Sequence, residues 1–155
     1  MQYYTLVRDG TQEELEAAVT TAAEADVLLP CGQHLVVVAV RSGKQAALEY
    51  LFGLGADLDV IDENGYGAMH WAIVKNDITA LNYLIANGAN INIKQTNITS
   101  TFSSESTALI MASARGHDSL AQALVDAGAN KVLTNINGST AADLSPDAAM
   151  DTILA

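Results

Sequence analysis

The stretch "LIANGANIN", residues 84–92, decides the fold. An apolar run that reads as a helix halts at Gly88, and Ala-Asn-Ile-Asn follows. The same event is spelled by "LFGLGADLD" at 51–59 and by "LVDAGANKV" at 124–132. Outward from these points the chain keeps time. Gly55 to Gly88 is 33 residues and Gly88 to Gly128 is 40, and Ala39, Ala72 and Ala112 repeat the same two intervals. Gly10 to Gly43, Gly43 to Asn76 and Thr107 to Thr140 are each 33 residues. A period of 33 interrupted once by seven extra residues implies a solenoid, in which each unit buries its apolar face only against its neighbours.

Local chemistry agrees with that register. Each unit offers two helices, one rich in Ala and the other carrying Leu-Ile or Leu-Val. Small residues let helices approach closely, and the aliphatic ones fill the space between units. Gly10, Gly43 and Gly116 fall at helix ends, where a left-handed residue is expected to turn the chain. Thr11 and Glu14 have capping-box spacing for the second helix of the first unit. Ser145 and Pro146 read as the N-cap and first position of the last helix. "HLVVVAV", 34–40, has the β-branched content of a buried strand. The register places it on a first helix, and stacking is expected to override so weak a local preference. The seven extra residues are assigned to Gln95–Thr101, "QTNITST".

These residues carry a resemblance. "DENGYGAMHWAIVKNDITALNYLIANGANIN", 62–92, resembles an ankyrin repeat, with Gly67-Ala68-Met69-His70 where the family has T-P-L-H. "STALIMASARGHDSLAQALVDAGAN", 106–130, is a second match, with Thr107-Ala108-Leu109-Ile110 in that place and Gly116-His117 at the turn. "NGSTAADL", 137–144, opens a terminal unit with Asp143 in the histidine slot. The 34–66 and 1–33 units keep less of the pattern. The resemblance implies an all-α ankyrin-repeat solenoid of about five helix-turn-helix units with short β-hairpin fingers. The units are about 1–33, 34–66, 67–106 with the finger insertion, 107–139 and 140–155, all in one domain.

Composition bounds the function. Half of the 155 residues are hydrophobic but only 5% are aromatic, which suits thin, closely stacked helices. Charged residues make up 16%, against roughly 25% in soluble domains. Seven basic and eighteen acidic residues leave a net charge of −11. That excludes non-specific nucleic-acid binding, which needs cations to displace counterions from phosphates, and disfavours anionic membranes. It favours a partner with a basic surface. The single Cys31 allows no internal disulfide and fits a reducing compartment. The start, MQYYTLVRDG, lacks a signal-peptide pattern. The longest apolar stretch, Leu35–Val40, is far short of the about 20 residues a span requires. A soluble, cytoplasmic protein, monomeric when free, is expected, and the sequon at Asn97 then has no role.

No constellation points to catalysis. His34, His70 and His117 occupy different positions in three units and do not cluster at metal-ligand spacing. The resemblance implies that His70 bonds backbone groups of the neighbouring finger. Cys31 has no partner motif, and phosphate loops, metal signatures and nucleophile elbows are missing. No enzyme activity, cofactor or metal is expected.

What remains is surface. The resemblance implies protein binding through a concave side built from finger tips and exposed first-helix faces. Residues falling there include Asp59, Asp62, Glu63, Asn64, Tyr66, Trp71 and Lys75, then Ile98, Ser104, Ser106 and Arg115, then Asn137. Tyr66 is expected to point off its finger, and with Trp71 to supply an anchor, since aromatic residues carry much of the energy at interfaces. Arg8, Arg41, Lys75 and Arg115 recur near the ends of first helices and should form one basic ladder. A helix-dipole role, worth about 0.3–1 kcal/mol each, is the alternative. Asp57, Asp59, Asp62 and Glu63 are expected to form an acidic rim.

A non-enzymatic protein-binding module follows from the resemblance. The specific reading is similar to bacterial immunity proteins that neutralise a cognate toxin, because an acidic inhibitor is steered quickly onto a basic enzyme. Alternatives are a regulator similar to small ankyrin inhibitors of protein kinases, and an enzyme on a helical-repeat scaffold.

Overall fold

The structure is a computed structural model and describes residues 2–96 and 105–155. Helices come in antiparallel pairs: α1 (Gln2–Asp9) with α2 (Gln12–Ala18), and, after a single turn α3 (Ala22–Ala25), α4 (Leu35–Arg41) with α5 (Gln45–Gly53). The pairs α6 (Ala68–Lys75) with α7 (Ile78–Ala86) and α8 (Ala108–Ala114) with α9 (Asp118–Asp126) follow. A 3-10 turn, Ala142–Leu144, with α10 (Ala148–Leu154) ends the chain. First helices pack in chain order, α1 on α4, α4 on α6, α6 on α8 and α8 on the 3-10 turn. Second helices form the other layer, with α2 against α5, α7 against α9 and α9 against α10. The fold is an all-α repeat solenoid.

The β-branched run is helical for a packing reason. Every residue from Leu35 to Val40 is at most 2% exposed, because α4 is enclosed by α1, α6 and α5. A helix apolar all round is stable only when buried all round. Leu48 and Leu51 on α5, Leu81 and Leu84 on α7, and Leu120 and Leu124 on α9 fill the space between layers.

The Gly-Ala-Asn signature now has a physical account. Gly88 ends α7 at φ +80°, and its counterparts Gly55 and Gly128 lie at +97° and +86°, a region that L side chains enter only with strain. The Ala89 N–H donates to Leu84 O at 3.0 Å, which closes the helix end. The polar residues after it then form a relay. Asn90 Oδ1 accepts from its own chain two residues on, the Asn92 N–H at 3.1 Å, while Asn92 Oδ1 accepts the Asn130 N–H of the next unit at 2.8 Å. One unit earlier, Asp57 Oδ1 accepts the Asp59 N–H at 2.8 Å and Asp59 Oδ1 accepts the Asn90 N–H at 2.7 Å. Each short polar side chain thus satisfies a backbone donor in a loop that has no ladder of its own.

Fingers project between units. Isolated antiparallel bridges join Leu28 to His34, Ile61 to Gly67 and Lys94 to Thr107. Adjacent fingers are stitched by Glu63 N–H to Gly32 O at 2.9 Å and Thr96 N–H to Gly65 O at 3.0 Å. The insertion needs relocating. Asp62 N–H bonds Tyr66 O four residues on, whereas Gln95 N–H bonds Ser106 O eleven residues on, so all seven extra residues fall between Gln95 and Ser106. Gln95 is fully buried and belongs to the finger's stem, not to the insertion that the sequence register assigned to Gln95–Thr101.

Two local expectations are corrected. Gly10 is not left-handed; a Cβ there would lie 2.6 Å from Leu6 O, so close approach to α1 is what requires glycine. The N-cap of α10 is Asp147, whose Oδ1 accepts from Ala149 and Met150 N–H at 3.0 and 3.1 Å. Pro146 holds Ser145 extended, at ψ 128°, one step too early to cap. The Thr11–Glu14 capping box is present, and Thr21 with Glu24 forms a second that opens α3.

Candidate functional site

The face built by the first helices and the fingers carries an ordered row of rings and cations. Its foundation is Asp62, which is 5% exposed. Its Oδ1 accepts the Asn64 and Tyr66 N–H groups at 2.8 and 3.0 Å, so the carboxylate itself makes the finger turn. The other oxygen, Oδ2, accepts from Trp71 Nε1 at 3.0 Å and fixes the indole on α6. Tyr66 lies against that indole with centroids 5.4 Å apart, and the Arg41 guanidinium sits over it at 5.5 Å. Arg41 also donates to the Tyr4 hydroxyl at 2.7 Å, and Arg8 lies over the Tyr4 ring at 5.1 Å. Side chains from α1, α4, α6 and one finger therefore form one continuous stack of cation–π and ring contacts. It is half-buried rather than core, so its outer edges face solvent.

His70 is the hidden support of this face. It is fully buried; Nδ1 accepts the Gly67 N–H at 3.1 Å, which assigns the proton to Nε2 and makes it the donor to Ile93 O at 3.1 Å. One imidazole thus ties the start of α6 to the next finger. Burial pushes its pKa down to about 4, outweighing the bonds that favour the charged form. Asp143, in the same slot of the last unit, does only the local half of this bonding, accepting the Thr140 N–H at 2.8 Å and its hydroxyl at 2.7 Å. His117 is half-buried at the N-cap of α9, and burial lowers its pKa also.

The structure distributes the expected binding residues unevenly. Asp62 is corrected from rim to interior, because both of its oxygens are committed to the turn and to Trp71. Asp59 is half-buried and bonded to the next unit, so the acidic rim shrinks to Glu63 and Asp57. Tyr66 does not point off its finger; it folds back onto Trp71 and, edge-on, onto His70. Ser106 is buried, not surface. Glu63, Asn64, Lys75, Arg115 and Asn137 are exposed. Ile98 and Ser104 lie outside the described residues.

The basic residues do not make one uniform ladder. Arg8 is paired with the neighbouring Asp9, and Arg115 turns back to Met111 O at 3.4 Å, as the helix-dipole alternative requires. Arg41 is the member built into the ring stack. Sequence reasoning missed Tyr4, for which the spacing of Arg8 and Arg41 was the only available signal.

Among the described residues no helix is long and apolar enough to cross a membrane. The family model described as "Ankyrin repeats (3 copies)" matches residues 6–95, and the one described as "Ankyrin repeats (many copies)" matches residues 69–125. Among curated proteins none matches the chain. A similar solved structure is that titled "Crystal structure of the ankyrin repeat domain of Bcl-3: a unique member of the IkappaB protein family". It aligns at a TM-score of 0.73 and 30% identity over 79% of this chain. The chain spans about half of that one's length, 51%. With more than half of its residues inside a single family match, the chain belongs to the ankyrin-repeat family, whose fold serves protein–protein interaction.

Proposed function

We propose that this protein is a non-catalytic inhibitor that docks a basic protein partner on its finger face and blocks it, in the manner of an immunity protein against a toxin. The observation that carries the reading is the half-buried stack of Tyr4, Arg41, Trp71 and Tyr66. Asp62 holds the Trp71 indole and the turn that carries Tyr66, and Arg41 joins Trp71 to Tyr4, so although these groups are not core, little side-chain entropy remains to be lost on docking. Charge supports the choice of partner. Beyond the stack, the surface bears exposed Glu13 and Glu16 on α2, Glu49 on α5 and Glu63 on a finger, within a net charge of −11. Such a field accelerates encounter with a basic protein.

The test is capture of the partner from the native source, identification by mass spectrometry, and assay of the partner's own activity with and without this protein. The association rate is then followed from 0.01 to 0.15 M salt, over which the screening length falls from about 30 to about 8 Å. A basic partner, loss of its activity on binding, and a falling rate are expected. A salt-independent rate would remove the steering argument, and a partner that stays fully active in the complex would remove inhibition.

A further inference from the structure

Arg41 sits within the ring stack with most of its donors unused. Its guanidinium lies 5.5 Å from the centre of the Trp71 ring and 5.9 Å from that of Tyr4, so rings from two neighbouring helices hold it. One bond, to the Tyr4 hydroxyl at 2.7 Å, engages a single N–H of the five that an arginine carries. Among the described residues Arg41 makes no ion pair. The nearby acids are committed: Asp9 is paired with Arg8, and the two Asp62 oxygens hold the finger turn and the indole. Arg41 is half-buried, yet none of its nitrogens is both enclosed and unbonded, so Nε and Nη1 keep contact with solvent. A second free cation stands near. Lys75 follows Trp71 by one turn of α6, is exposed, and makes no ion pair among the described residues. It lines a depression of about 460 Å³ together with Ser42, the residue after Arg41. Asp77 lines it too, but its Oδ1 caps α7 by accepting the Thr79 and Ala80 N–H groups at 3.1 and 3.0 Å. A chain of net charge −11 therefore keeps two unpaired cations next to one indole.

We propose that Arg41 receives an aspartate or glutamate side chain of the protein partner, with Lys75 supplying a second positive charge beside it. Rings cover the flat faces of the guanidinium, so its edge is what it offers, and that edge matches the two oxygens of a carboxylate. Because the fork is already held by Trp71 and Tyr4, pairing costs it little freedom. A basic partner still carries acids. One that meets Arg41 fixes the docking register, which the long-range field leaves open. The inference rests on the proposed docking at the stack and names the group that the partner must place there.

The experiment uses the full chain without its partner. The capped tripeptide acetyl-Ala-Glu-Ala-amide is titrated into isotopically labelled protein at constant ionic strength, and the arginine Nε–H and Trp71 Nε1–H signals are followed by NMR. Saturable shifts are expected at Arg41 and Trp71. Arg115, exposed and outside the ring stack, serves as the internal reference and should not saturate in the same range. The glutamine peptide, neutral but of the same shape, should leave Arg41 unmoved. Arg41→Lys, which keeps the charge and loses the fork, should bind the glutamate peptide about tenfold more weakly, read at Trp71. The comparisons of the two peptides and of Arg41 with Arg115 need no variant, so they hold even if that substitution disturbs the fold. Absence of a saturable shift at Arg41, an equal response to the glutamine peptide, an equal response at Arg115, or unchanged binding by a folded Arg41→Lys would each overturn the assignment. None of these results touches partner capture, so the failure of this inference and of the proposed function are separately visible.

Discussion

At the scale of single residues, a few polar side chains do work that their charge conceals. Asp59 and Asp62 read as surface acids because sequence shows their type and not their partners. In the fold one bonds the next unit and the other makes a finger turn and orients an indole. Removing the Asp59 acceptor orphans the Asn90 N–H, so Asp59→Ala should lose about 0.5–1.5 kcal/mol in urea unfolding, while Asp59→Asn, which keeps the acceptor, should lose little. Equal losses in both variants would show that charge rather than the bond matters. His70 gives a pH signature. Its folded pKa, about 4, lies below the unfolded 6.5, so the unfolded chain takes up the proton first. Stability is therefore complete above about pH 6.5 and falls as pH drops towards 4, by as much as about 3 kcal/mol. Plotted against pH, the difference between wild type and His70→Gln should change in that window. A constant difference would contradict the buried neutral imidazole.

At the scale of elements, the 33-residue register made helices and fingers legible even where propensity opposed them, as in the Leu35–Val40 run. Helix ends were legible where the cap is a local pair, as in Thr11 with Glu14, and illegible where two candidates stand side by side, as Ser145 and Asp147 do. The binding face was harder to read. Its stack joins α1, α4 and α6 through contacts up to 37 residues apart, and period alone does not say which side chain leans on which. The insertion was correctly counted but started too early, because only hydrogen bonding identifies Gln95 as stem. Deleting residues 97–103 keeps the Gln95–Ser106 pair and restores a finger of ordinary length. Such a change costs or gains little, about 0.6 kcal/mol per doubling of loop length, so the melting temperature should hold or rise slightly. Deleting 95–101 instead removes the buried Gln95 and should lower it. The reverse order would contradict the register.

At the scale of the whole molecule, the stack is asymmetric in charge. Negative charge is spread over second helices and Glu63, while Arg41 and Lys75 lie on the first-helix layer. In the proposed function, the acidic field governs approach and the ring stack governs fit. The central claim, that binding uses the first-helix and finger face, is tested most directly by comparing partner affinity in two charge-reversed proteins of equal helicity. One carries Lys75→Glu and Arg115→Glu, at the carboxyl ends of the first helices α6 and α8; the other carries Glu13→Lys and Glu16→Lys on α2, on the second-helix layer. The first should bind the captured partner at least about tenfold more weakly through faster dissociation. The second should change mainly the association rate. Loss of binding in the second with full affinity in the first would place the partner on the opposite side and contradict the account.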